Sequence, residues 1–249
     1  MWPRRPDAPL WVGLSSSELC WQRVSDEPHC VPLNLDPTLP PVQAVAAAAA
    51  AALEPMACKS IYVVVGSSLA RHWLQQVPPG LRSLAELQAL AQSRAELLFG
   101  AGTAWSVAAD WHATEAFFCA AVPTAVQALP QGWCTGARAQ LSTTWTHVLA
   151  SQARRVPDQT WVLSEESGTL HLLYVDRGLP IHYSAVQLSE SVSTGDKQAL
   201  MQATLAQVAA RGGGLPTAPV TLLPAAADAG WSQARTALHF ARHGAERLT

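Results

Sequence analysis

Hydrophobic and polar positions alternate in short bursts near residue 11 and again near residue 161. In the first burst WVGLSSSEL (residues 11–19) runs into CWQRV, a polar turn SDEPH and a third apolar stretch, CVPLNL. In the second, WVLSEESGTL (residues 161–170) runs into HLLYV, the turn DRG and LPIHYSAVQL. Short apolar runs joined by tight Ser- or Gly-bearing turns predict a three-stranded meander in each place. The elements after each burst also correspond. The first is trailed by an Ala-rich helix (42–53) and a strand (61–65), the second by a helix (197–210) and a strand (220–223). Gly212, Gly213 and Gly214 are read as the stop of the second helix, because glycine accepts left-handed backbone angles. The order β-β-β-α-β therefore occurs twice, which predicts an α/β protein of two related lobes.

The stretch between the copies has its own pattern. SLAELQALAQSRAELLF (83–99) spaces its leucines close to a helical period, with Ser83 and Glu86 as a capping box and Gly100 as the stop. Strands are expected at 104–109, 116–121 and 137–142, and helices at 124–129 and 144–155, the last ended by Pro157. The lobes are accordingly drawn at 1–156, with an inserted subdomain at about 67–143, and 157–249.

Charge changes the picture by exclusion. Charged residues make up 14% of the chain, against a usual share of about 25%, and the net charge is −2. No basic field is present to hold a phosphate backbone, so nucleic acid is not an expected ligand. The five cysteines, Cys20, Cys30, Cys58, Cys119 and Cys134, include no Cys-x-x-Cys pair. They are expected to be reduced and mostly buried, which suits the cytoplasm. The longest apolar stretch, 42–53, is too short to cross a bilayer, which takes about 20 residues.

Taken in order, VGLSSSELCWQRV, IYVVVGSSLARHWL, SLAELQALAQSRAELLFG, TAWSVAADW, FFCAAVPTAVQAL and LLYVDRGLPIHYSAVQL resemble the actin-like, or ribonuclease-H-like, ATPase duplication. Within it they are similar to the cytoplasmic domain of the type II secretion system L protein and its type IV pilus counterpart, the M protein. The resemblance implies a duplicated actin-like fold of two lobes with mixed sheets. It also implies protein partners, an assembly ATPase or an inner-membrane component, and a cytoplasmic place, peripheral at the inner membrane through a partner. An active member of the superfamily carries an aspartate in the first hairpin of each lobe, with glycines beside it, to hold magnesium and wrap phosphates in backbone amides. Here the first hairpin reads Gly13, Leu14, Ser15, Ser16, Ser17, and the second Glu165, Glu166, Ser167, Gly168, Thr169. Ser15, Ser16, Ser17, Glu166, Gly168 and Thr169 are the positions of a degenerate nucleotide site, and no cofactor is expected; ATP with magnesium is disfavoured. The expected function is a non-catalytic scaffold of a secretion or pilus machine. The alternative is an ATP-dependent small-molecule kinase, for which Asp176, Glu165 and Glu166 are the nearby carboxylates.

Other candidate chemistry is incomplete. Ser67 in VVVGSSLA begins like a nucleophile elbow but lacks the second glycine of G-x-S-x-G, so Ser67 or Ser68 is read as a helix N-cap. A two-residue turn at Arg177 and Gly178 would pair Leu173 with His182 and set His171 diagonally beside it on one face. Two imidazoles there lack a third metal ligand. His112 and Glu115, after Asp110, are read as a polar loop. Of the ten tryptophans, Trp11, Trp21, Trp105, Trp145 and Trp161 are expected in the core. Trp2, Trp73, Trp111, Trp133 and Trp231 fall nearer turns or ends, and Trp73, Trp111 and Trp133 are candidates for an interface.

Overall fold

The computed structural model describes residues 9–23, 26–55, 58–81, 83–111, 116–134, 138–146, 156–166, 169–187, 194–217 and 219–222, with 234, 235, 237–239 and 242. The first meander is β1 (Leu10–Leu14), β2 (Glu18–Arg23) and β3 (His29–Pro32), followed by α1 (Pro41–Ala52) and β4 (Ser60–Val65). β1 pairs antiparallel with β2 and parallel with β4. The inserted stretch supplies β5 (Arg71–Gln75), α2 (Leu84–Phe99), β6 (Trp105–Ala109), β7 (Phe117–Pro123), and the short helices α3 (Thr124–Gln127) and α4 (Leu129–Trp133). β8 (Arg138–Thr143) then returns to the first sheet, whose order is β3-β2-β1-β4-β8.

The second meander is β9 (Thr160–Glu166), β10 (Thr169–Asp176) and β11 (Leu179–Gln187), followed by α5 (Thr194–Arg211) and β12 (Val220–Leu222). Its sheet order, β11-β10-β9-β12, repeats β3-β2-β1-β4, and β12 pairs parallel with β9 as β4 does with β1. The duplicated unit is thus present in strand order and in strand direction, giving two lobes with mixed sheets.

Each lobe buries one sheet face under helices. Leu10, Val12 and Leu14 meet Val45, Ala49, Val126 and Trp133. In the second lobe, Trp161, Leu163, Leu170 and Leu172 meet Leu205, Val208 and Ala209 of α5. The opposite face of the first sheet, with Trp11, Cys20 and Val64, is covered by Ala234, Ala237 and Leu238, which are helical. A Cβ at Gly13 would overlap the Ala234 carbonyl oxygen and the Leu238 amide, so Gly13 lets that helix approach the strand.

The inserted sheet has the order β5-β7-β6. Along buried β7 the side chains alternate: Phe117, Cys119 and Ala121 pack on Leu87, Ala91 and Ala95 of α2, while Phe118 faces the second lobe and Val122 the first-lobe core. α2 begins with the capping box of Ser83 and Glu86 and ends at Gly100, φ 92°. α5 ends on the glycines, with Gly213 and Gly214 at positive φ and Gly214 and Leu215 donating to the Ala209 carbonyl.

Several expectations are corrected. Cys20 and Cys30, register partners on β2 and β3, are disulfide-bonded, as are Cys58 and Cys134; Cys119 alone is free and buried. Spacings of 10 and 76 residues carry no local signature, because sheet register and the return of α4 bring these pairs together. The cysteines therefore give no argument for a reducing compartment. Trp73 and Trp133 are buried and Trp111 is half-buried against Phe117, so these three form no exposed patch. The Trp73 indole donates to Gln75 Oε1 at 3.2 Å. Trp11, Trp145 and Trp161 are in the core, while Trp21 and Trp105 are half-buried at its margin. No helix follows Ser67 and Ser68: one turn, closed by Leu69 and Ala70 amides on the Gly66 carbonyl, leads directly into β5. Of the helix expected at 144–155, residues 144–146 are helical and the remainder lies outside the described residues, as do Trp2, Trp231, His112 and Glu115. No helix among the described residues is long and apolar enough to cross a membrane.

Candidate functional site: the cleft between the lobes

The two first hairpins of the lobes face one another across a cavity of about 700 Å³, lined by Ser16, Ser67, Arg71, Thr169, His171 and Tyr183 among others. Its walls follow from strand parity. On β10, Leu170, Leu172 and Tyr174 point to α5, so Thr169, His171 and Leu173 point to the first lobe. On β9 the same rule aims Glu166, paired with Thr169, into the cleft, and aims Glu165, paired with Leu170, away from it.

Glu166 crosses the cleft. Its Oε1 accepts from the Ser67 amide at 3.2 Å, and its Oε2 is hydrogen-bonded to Ser67 Oγ. The carboxyl is 5% exposed, and burial holds its pKa above the ordinary 4.5 against the two Ser67 bonds, which act to lower it. Ser67 thus engages both oxygens of the carboxyl, donating from its amide to one and from its hydroxyl to the other. Arg71 supports the same turn: its Nη1 donates to the carbonyls of Ser67, Ser68 and Ala70 at 3.1 to 3.4 Å.

The first hairpin is closed on itself. Ser15 Oγ accepts from the Ser17 and Glu18 amides at 3.3 and 3.0 Å, and the Ser15 amide donates to the Glu18 carbonyl. The Ser16 amide donates to Ser68 Oγ at 2.9 Å. These are the amides that would wrap a phosphate, and all are committed within the protein. Glu166, the carboxylate of the second hairpin, is buried and bonded to serine. Among the described residues, the first-hairpin amides and Glu166 already have hydrogen-bond partners within the protein. Ser167 and Gly168, the turn of the second hairpin, lie outside the described residues. Asp176 is at the far end of β10, about 24 Å along the strand from Thr169, where it faces Arg177 at 3.9 Å.

Below the cavity lies an aromatic and histidine floor. His171 Nδ1 and the Tyr183 hydroxyl are 2.8 Å apart, and Trp145 lies 5.1 Å from the imidazole. His72, on β5, shares a hydrogen bond of 2.8 Å with Thr143 Oγ1 and stacks on Phe118 at 5.5 Å. Burial pushes the His171 pKa down to about 4, and burial with the neighbouring His171 and Arg71 pushes that of His72 down to about 3. Burial also raises the Tyr183 phenol, helped by Glu166. The floor is therefore uncharged at neutral pH, which suits two packed surfaces.

His171 and His182 do not share a face. The turn at Arg177 and Gly178, both at positive φ, is the expected two-residue one. A bulge then shifts the register, so that Val175 pairs with Pro180 but Tyr174 with His182. Proline donates no ladder hydrogen bond and is tolerated at such a bulge. The slip of one residue turns His182 to the α5 side, beside Trp161, and rules out a shared metal.

No family model matches the chain, and no curated protein matches it in sequence. Among solved structures it is similar to a Bacteroides thetaiotaomicron protein of actin-like ATPase fold and unknown function, at 10% identity and TM-score 0.51, covering 81% of this chain and 77% of the other. This chain has the actin-like ATPase fold. Two further similarities fall below a TM-score of 0.5 and carry no weight. One is to a chain of the PilM–PilN type IV pilus biogenesis complex (18% identity, TM-score 0.45, 82% and 66% covered). The other is to the cytoplasmic domain of EpsL, an inner-membrane component of the Vibrio cholerae type II secretion system (13%, 0.43, 88% and 86%).

Of the residues singled out from sequence, Ser15, Ser16, Ser17, Glu166 and Thr169 come together at the cleft, and His171 joins them. Missed were Ser67 and Ser68 as cleft residues, together with His72, Arg71 and Tyr183. Strand parity at Glu166 was the available signal: it shares the side of Val162, a core position, and so had to face protein.

Proposed function

We propose that this chain is a non-catalytic actin-like scaffold that binds other proteins of a bacterial secretion or type IV pilus assembly machine at the cytoplasmic face of the inner membrane. The observation that carries this reading is the self-satisfied cleft: the first-hairpin amides are bound to serine hydroxyls, and Glu166 joins the lobes through Ser67. The sequence resemblance supplies the partner class, an assembly ATPase or an inner-membrane component. A second feature gives a partner somewhere to bind. β8 and β6 are edge strands, and the groove of about 450 Å³ between their sheets is lined by Ser106, Ala108, Ala120, Ala139 and Leu141 among others. An extended partner segment there can add to the β8 edge, which is unpaired among the described residues.

Thermal unfolding with and without magnesium ATP separates this from the ATP-using enzyme, for which the size of the cleft cavity is the favouring observation. A ligand at 100 times its Kd adds about 2.7 kcal/mol, or about 5 to 10 °C in Tm for a chain of this size. No shift is expected. A shift of that size overturns the scaffold reading. Co-purification with the assembly ATPase or inner-membrane component of the same cells, abolished by Ala139→Arg in the groove, is the expected positive result.

A further inference from the structure

We propose that Glu18, Cys20 and Cys30 form a redox-gated site for a thiophilic divalent cation of the zinc class. Three observations outside the cleft point to it. Cys20 and Cys30 are opposite partners on antiparallel β2 and β3, with Cα atoms 4.1 Å apart, so both side chains project to one face. Glu18 lies two residues before Cys20, on that same face. One carboxylate oxygen and the two sulfurs all lie within 4.8 Å of one another, close to the separation of about 3.8 Å that a tetrahedral shell with Zn–S bonds of about 2.3 Å requires.

The second observation is that Glu18 Oε2 is buried without a hydrogen-bond partner among the described residues. A carboxylate oxygen in that condition is costly, and a cation beside it removes the cost. The third is access. Cys20 is fully buried, but Cys30 is exposed on β3, the edge strand of the sheet. Two thiolates and one carboxylate leave the fourth position to water, and the donor set selects zinc, cadmium or cobalt over magnesium or calcium.

The disulfide and the metal site are alternative states of one pair of sulfurs. A dithiol reductant supplies two electrons and two protons to the Cys20–Cys30 bond and becomes a disulfide itself. The cation then displaces both thiol protons and forms two metal–sulfur bonds. Oxidation of the thiolates to the disulfide returns the electrons to an oxidised dithiol and releases the cation. Cys30, on the edge strand, is the sulfur that an exchanging thiolate can reach. The site does not depend on the scaffold reading, since its readout is metal binding alone.

The test uses the full chain, reduced with a dithiol, desalted without oxygen and titrated with Co²⁺ and then Zn²⁺. One equivalent of Co²⁺ is expected, with thiolate charge-transfer and tetrahedral d–d bands that Zn²⁺ abolishes, and none in the disulfide form. Glu18→Gln retains the charge-transfer bands and binds about 10-fold or more weakly, Cys30→Ser loses them, and Cys58→Ser with Cys134→Ser binds as wild type. Absence of stoichiometric binding by the reduced chain overturns the proposal, as do bands that survive Cys30→Ser. If Cys30→Ser fails to fold, Glu18→Gln decides: an affinity equal to wild type removes the carboxylate and with it the site.

Discussion

Replacing Glu166 by glutamine tests whether burial raises the pKa of the carboxyl that bonds the lobes. Glu166 is 5% exposed, and among the described residues both of its oxygens bond to Ser67. Glutamine has nearly the same shape, accepts from the Ser67 amide through its oxygen and donates to Ser67 Oγ through its nitrogen. At pH 4.5 and below, the substitution should therefore change stability by less than about 1 kcal/mol. Above that the two chains diverge. The folded-state pKa of Glu166 lies above the unfolded value of 4.5, so the folded chain holds a proton that the unfolded chain releases. Its stabilisation is fully present below pH 4.5 and is lost as pH rises through the folded pKa, by about 1.36 kcal/mol per pH unit in that window. Glutamine does not titrate, so Glu166→Gln gains on wild type by that slope and then runs level. Urea unfolding between pH 4 and 8, followed by tryptophan fluorescence, measures the difference. A difference independent of pH, or one that grows as pH falls, refutes the raised pKa. Ser67→Ala should cost about 1 kcal/mol and be non-additive with Glu166→Gln in a double-mutant cycle.

His171, held neutral by burial with a pKa of about 4, binds its proton first in the unfolded chain. Stability accordingly falls as pH drops from about 6.5, and His171→Gln should remove about 2 kcal/mol of that loss between pH 6.5 and 4.5, read from urea midpoints; equal acid slopes would refute it. Gly13→Ala overlaps the backbone at Ala234 and Leu238 and should cost about 1–3 kcal/mol, seen as a lowered Tm, whereas an unchanged Tm would show that the helix does not lie on β1. Unfolded without reductant, the chain should titrate one thiol, Cys119, and after reduction all five; five thiols before reduction would remove both disulfides.

The strands were legible as short apolar runs bounded by turn residues, as in WVGLSSSEL and HLLYV, whose strands β1 and β10 are buried on both faces. The duplication was legible for the same reason, and Ser83, Glu86 and Gly100 marked α2 by local chemistry. What failed depended on partners distant in sequence. β5 comes directly after Ser68, in place of a helix, because its pairing partner, β7, lies over 40 residues on. The register of His182 turned on one proline in β11. The contact of Ser67 with Glu166 spans 99 residues, and neither residue's neighbours hint at the other. Trp73 and Trp133 sit beside turns and yet are buried, because the inserted sheet and α4 fold back over them.

The helix that covers Gly13 fixes an order of events during synthesis. Arg242 reaches Gln22 across 220 residues of chain, and Trp11, Cys20 and Val64 wait for Ala234, Ala237 and Leu238 before that sheet face is shielded. The lobe made first is the lobe finished last. While the ribosome is still producing the second meander, the nascent chain displays an apolar surface that is open to chaperones or to a second copy, and contacts of such long range form slowly.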